Sequence, residues 1–163
     1  MPFPALLLLV GVVLIFQTTI MDYLTVFGVK PDLVMLFVVF NGFLLSPREG
    51  AFLGFAGGII EDLFAGSYIG INALAKMAAG YLAGVCGERL YKENSLVAAG
   101  VTFFATTAGL LVNYLLLLYL NIYMPFFYTM LRVVLPTALY TAMLVPFLYK
   151  RVLRLIVVKN KDL

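Results

Sequence analysis

Residues 46–88 read SPREGAFLGFAGGIIEDLFAGSYIGINALAKMAAGYLAGVCGE. The stretch is apolar enough for a membrane, yet it is dense in glycine and holds Glu61, Asp62 and Lys76. Gly50, Gly54, Gly58, Asp62 and Gly66 recur every four residues, which places them on one slowly drifting helix face. Lys76, Gly80, Gly84 and Glu88 repeat the spacing, with Ala73, Ala79 and Ala83 alongside. In lipid the hydrophobic effect gives little drive between helices, so small residues serve to let backbones approach closely. The short turn GSYIG at 66–70 makes the two segments antiparallel neighbours. Gly50, Gly54, Gly58, Gly80 and Gly84 are therefore expected to face protein, in helix packing or at a partner interface. Phe52, Phe55, Ile59 and Leu63 are left for lipid or other neighbours.

An ionisable side chain within a span is costly and faces the bundle interior or a cavity. At ~1.5 Å of rise per residue, Asp62 and Lys76 differ in depth by only a few ångströms. A Lys76–Asp62 or Lys76–Glu61 pair is expected as a polar anchor. Glu61 lies about 100° around the helix from Asp62, and Asp62 is expected to be the inward acid. Such a pair either fixes helix register or lines a cavity or partner site; in a third reading Lys76 simply reaches out to the lipid headgroups.

The rest of the chain sets the class. It has 163 residues, 64% hydrophobic and 12% charged, with a mean hydropathy of +1.07. A soluble domain of this size cannot hide so much apolar surface. An all-α integral membrane protein follows, built as one compact bundle of six transmembrane helices. The segments fall at about 3–21, 31–45, 50–65, 68–86, 95–120 and 126–149, with a basic tail at 150–163. The first segment is read as a retained helix, since no Lys or Arg precedes it. Six crossings put Arg48, Arg89, Lys92, Lys150, Arg151, Arg154, Lys159 and Lys161 on one side, and Lys30 and Arg132 on the other. That bias makes both termini cytoplasmic, and the tail an orientation signal whose cations suit anionic membrane lipids.

Smaller features fill in the picture. Pro31 and Asp32 form a helix start, with proline in the first turn and an acid at the positive dipole end. Gln17, Thr18, Thr19 and Asp22 form an interfacial rim. Asn41 and Asn113 should seek interhelical partners, and Pro136 and Pro146 should kink the last helix. Tyr23, Tyr68, Tyr91, Tyr119, Tyr123, Tyr128 and Tyr149 stand near segment ends as an interfacial belt. Histidine is absent and cysteine occurs once, at Cys86, so the commonest acid–base group and any cysteine cluster for a metal are missing. No nucleophile motif or phosphate loop appears. A non-enzymatic protein without cofactor, metal or nucleic-acid partner is expected.

VFGVKPDLVMLFVVF at 26–40 and SPREGAFLGFAGGIIEDLFAGSYIGINALAKMAAGYLAG at 46–84 resemble the bacterial rod shape-determining protein MreD family. The likeness rests on Pro31-Asp32-Leu33, on Gly50, Gly54, Phe55, Gly58 and Asp62, and on Gly70, Lys76 and Tyr81. It implies a non-catalytic inner-membrane subunit of the cell-elongation complex. It further implies work with MreC, MreB, RodA and its class B penicillin-binding protein in lateral peptidoglycan synthesis. It also implies a fold similar to the substrate-binding subunits of energy-coupling-factor transporters. Those subunits carry an A-x3-A pair in the first helix, and this chain has only Ala5 there. Scaffolding is thereby favoured over the alternative, a vitamin-type small-molecule binding or transport subunit.

Overall fold

The computed structural model describes residues 3–20, 23, 25, 28–66 and 68–161, with side chains described for all of these except 3, 6, 7 and 155–161. Asp22, expected on the interfacial rim, lies outside the described residues, and so does the far end of the basic tail. Every regular element among the described residues is a helix. They are α1 (Phe3–Thr19), α2 (Leu33–Leu44), α3 (Pro47–Ala65), α4 (Ile71–Arg89), α5 (Ser95–Tyr119), α6 (Phe126–Thr129) and α7 (Leu135–Lys161). A π-helical turn, Met130–Val134, joins α6 to α7, so these last elements form one continuous rod and the described residues form six rods. The helix ends differ from expectation in physically clear ways.

Ser46 caps α3, its hydroxyl accepting from the Glu49 N–H at 3.3 Å, so α3 begins with Pro47 rather than Gly50. Asp32 is the cap of α2 and Pro31 stands outside it, not in the first turn. Gly66 (φ 63°) and Gly70 (φ 107°) take left-handed backbone at the α3–α4 turn, which delays the start of α4 to Ile71. The basic tail is not a tail but a continuation of α7 as far as Lys161. Pro136 has no N–H for the carbonyl one turn back, and the wider π turn just before it relieves that conflict.

At the centre lies α2, with Val34, Met35, Leu36, Val38, Val39, Phe40 and Phe43 buried. Its twelve residues span only ~18 Å. It divides the interior in two. On one side Met35, Phe40 and Phe43 join Ala79, Ala83, Val101, Ala105, Val145 and Tyr149 from α4, α5 and α7. On the other, Val34 and Val38 meet Val10 and Leu14 of α1 and Leu53 of α3. Among the described residues, α1 touches α2 and α3 and no other helix.

The glycines explain how α2, α3 and α4 come together. A Cβ at Gly80 would strike the Gly50 carbonyl, and one at Gly42 or Gly50 the Gly80 carbonyl. Further along, Gly54 lies against the Lys76 carbonyl, Gly58 against the Ala73 backbone, and Gly84 against Pro47. The ridge is thus filled by this chain's own helices, which corrects its alternative use as a partner interface. Gly42 and Gly87 belong to it as well: a Cβ on Gly87 would meet the Phe43 carbonyl. Phe52, Phe55 and Leu63 point outward and Ile59 is half-buried. Gly100 has no such neighbour, with nothing within 4 Å of an added Cβ. Gly100→Ala should accordingly raise thermal stability in detergent by about 0.5–1 kcal/mol, the ordinary helix preference of alanine over glycine.

Two helices, Ser95–Tyr119 and Phe126–Arg154, are each long and apolar enough to cross a membrane; Leu8–Thr19 and Leu33–Leu44 are apolar but shorter. At the end of the fold near the 46–49 and 87–94 turns, Lys92 Nζ donates to the Leu44 carbonyl at 3.2 Å. There the Tyr149 hydroxyl donates to the Lys92 carbonyl. Tyr149 is fully buried, edge-on to Phe40, and so is no part of an interfacial belt.

Candidate functional site

At the opposite end, polar groups from six of the helices converge around the first turn of α2. The α3–α4 turn supplies one half. Asp62 is fully buried, one turn before the end of α3. Its Oδ2 accepts from the Gly70 N–H at 2.8 Å and its Oδ1 from Asn72 Nδ2 at 2.9 Å. Longer bonds of 3.4 Å come from the Asn72 and Ala73 N–H groups. Gly70, at the cap position of α4, has no side chain, so the carboxylate of Asp62 does the capping from the neighbouring helix. Asn72 extends the chain of bonds, since its Oδ1 accepts from Asn113 Nδ2 of α5 at 3.1 Å. Among the described residues, the other in-span amide, Asn41, donates to the Phe37 carbonyl of its own helix rather than to another helix.

The second half is charged. Lys76 is 2% exposed, and its Nζ lies 2.9 Å from Asp32 Oδ2 and 2.7 Å from Glu61 Oε2. Lys76 therefore pairs with Asp32 and Glu61: of the two expected pairings Lys76–Glu61 is present and Lys76–Asp62 is not, and the inward Asp62 is held by amides instead. Glu61 stands one turn beyond Gly57, whose added Cβ would meet Val34 and Val10, so this face of α3 looks toward α1 and α2. Asp32 has two further ties. Its Oδ1 accepts from the Met35 N–H at 2.8 Å, and its own N–H donates to Thr141 Oγ1 of α7 at 3.2 Å. Gln17 of α1 finishes the cap of α2, its Oε1 accepting from the Leu33 and Val34 N–H groups at 3.0 and 3.2 Å.

This arrangement locks helices together. The ammonium is enclosed by carboxylates, and the buried carboxylate of Asp62 is saturated with donors. Gln17, expected on an interfacial rim, and Thr141, not singled out, each act through a backbone N–H of another helix, which no local pattern shows. Glu61, expected as one of two alternative partners of Lys76, lies 2.7 Å from it, whereas Asp32 is expected only as part of a helix start. Asp62→Ala should free four donors at the start of α4 and lower stability by about 1–3 kcal/mol. Thermal unfolding in detergent would show it, with Asp62→Asn retaining part of the bonding.

Comparison with known proteins gives one match. No curated protein and no solved structure matches the chain. The model of one protein family, described as rod shape-determining protein MreD, matches residues 1–156. A membrane family and a fold of apolar helices agree with each other. The chain belongs to the MreD family, whose members take part in determining rod shape.

Proposed function

We propose that this protein is a non-catalytic inner-membrane subunit of the cell-elongation complex. It binds the single-span protein MreC and supports lateral peptidoglycan synthesis with RodA, its class B penicillin-binding protein and, on the cytoplasmic side, MreB. The family match over residues 1–156 carries this reading. Six crossings with both termini cytoplasmic, and a fold of the transporter substrate-subunit type, belong to the same proposal. The charge bias between the two ends supports that orientation. The described charged and amide groups of the outer cluster are spent on one another, which favours a scaffold over a vitamin-type binding subunit. Large side chains such as Phe104, Leu115, Leu139 and Phe147 remain exposed for lipid and partner helices.

Extraction in mild detergent from cells carrying a tagged copy tests the proposal. MreC should co-purify with this chain, and depletion of the chain should turn rods into spheres. Recovery of the chain without MreC, from cells whose rod shape depends on both, would remove the reading.

A further inference from the structure

The helices are held to one another by unequal means. α2, α3 and α4 meet backbone to backbone at Gly42, Gly50, Gly54, Gly58 and Gly80. α1 is seated differently. Among the described residues it touches α2 and α3 and no other helix, and Val10 and Leu14 are its buried side chains. Leu8, Val12, Ile15 and Phe16 are exposed. The meeting with α3 is made by side-chain tips. A Cβ added to Gly57 would lie 3.4 Å from Val34 Cγ1 and 3.6 Å from Val10 Cγ1, which is ordinary contact and no collision. Among the described residues, the polar tie of α1 to its neighbours is Gln17, accepting from the Leu33 and Val34 N–H groups. The Thr18 hydroxyl spends its bonds on the Leu14 and Ile15 carbonyls of α1 itself.

The solvent decides what this seat is worth. In water, lifting α1 would expose the buried Val34, Val38 and Leu53 to a medium that rejects them. In a bilayer, acyl chains cover the same side chains, so the hydrophobic effect holds α1 hardly at all. What remains is side-chain packing and the Gln17 bonds. An element held by so little opens locally at a cost well below that of unfolding the whole.

We infer that α1 is a lateral gate over the smaller core: it swings off α2 and α3 in the membrane, and acyl chains take its place against Val34, Val38 and Leu53. The remaining helices stay together as one block. Spin labels test this in proteoliposomes, with Cys86, the chain's single cysteine, changed to alanine. One pair, Val12→Cys on α1 and Phe104→Cys on α5, reports the gate; another, Phe55→Cys on α3 with Phe104→Cys, reports the block. All three positions are exposed, so the labels disturb no packing. The gate pair should show two distances and the block pair one. Gln17→Leu removes bonds that exist only in the closed form, and should raise the ratio of long to short gate distance about tenfold. Gly57→Ala adds a contact to Val10 and should lower that ratio. A single gate distance in Gln17→Leu, or two distances in both pairs, would overturn the inference.

Discussion

Lys76→Met should unfold or severely destabilise the protein. The substitution preserves length and apolar stem but leaves Asp32 and Glu61 facing each other across a buried space with no cation. Removing one partner of a buried ion pair costs about 3–5 kcal/mol, mostly because the remaining charge is stranded. The cost should fall when the stranded charges go as well. A triple variant, Lys76→Met with Asp32→Asn and Glu61→Gln, should recover most of the loss, since the new amide at position 32 keeps an oxygen for the Met35 N–H. Unfolding in detergent, followed by circular dichroism or by trypsin susceptibility, measures both. A triple variant no more stable than the single one would mean that the ammonium acts by something other than neutralising these two acids.

Gly80→Ala should be nearly as damaging, by a different route. The added methyl would meet the Gly50 carbonyl, which is backbone in the first turn of a packed helix. No rotamer change can relieve such a contact, so α3 and α4 must part and drag Val38 with them. Overpacking of this kind costs about 1–3 kcal/mol for a small group, and Gly54→Leu, pressed against the Lys76 carbonyl, should exceed it. Midpoints of unfolding for Gly80→Ala, Gly54→Leu and Gly100→Ala should depart from a helix-propensity scale, with only the last one gaining. A Gly80→Ala midpoint equal to wild type would disprove close backbone contact between these helices.

Spacing alone revealed the ridge, because a four-residue repeat of small side chains has few uses within lipid. It did not reveal Gly42, since a single glycine in LVMLFVVFNGFL has no period to betray it. The charged cluster was half legible. Depth along an antiparallel pair placed Lys76 beside the acids, but a two-helix picture omits α2, which occupies the space next to Glu61. Asp32 is 44 residues from Lys76 and 109 from Thr141, and local pattern carries no signal across such separations. Asp62 illustrates the converse. Its partners lie only 8 to 11 residues ahead, yet no local pattern shows that a glycine cap leaves amides for it. The extended end of α7 was missed because basic residues suggest a tail, while nothing in VLRLIVV stops a helix.

The distances along the chain between partners also bear on the order of assembly. Closing the α3–α4 hairpin through Asp62 ties a short loop and loses little chain entropy, so this pair can form as soon as both segments are inserted. The Asp32–Thr141 bond cannot form until nearly the whole chain has left the ribosome. α2, although earlier in the chain than α3, α4, α5 and α7, must wait for them before its slot exists. Its slow docking, rather than the hairpin's, should then set the rate at which the newly made protein becomes resistant to quality-control proteases.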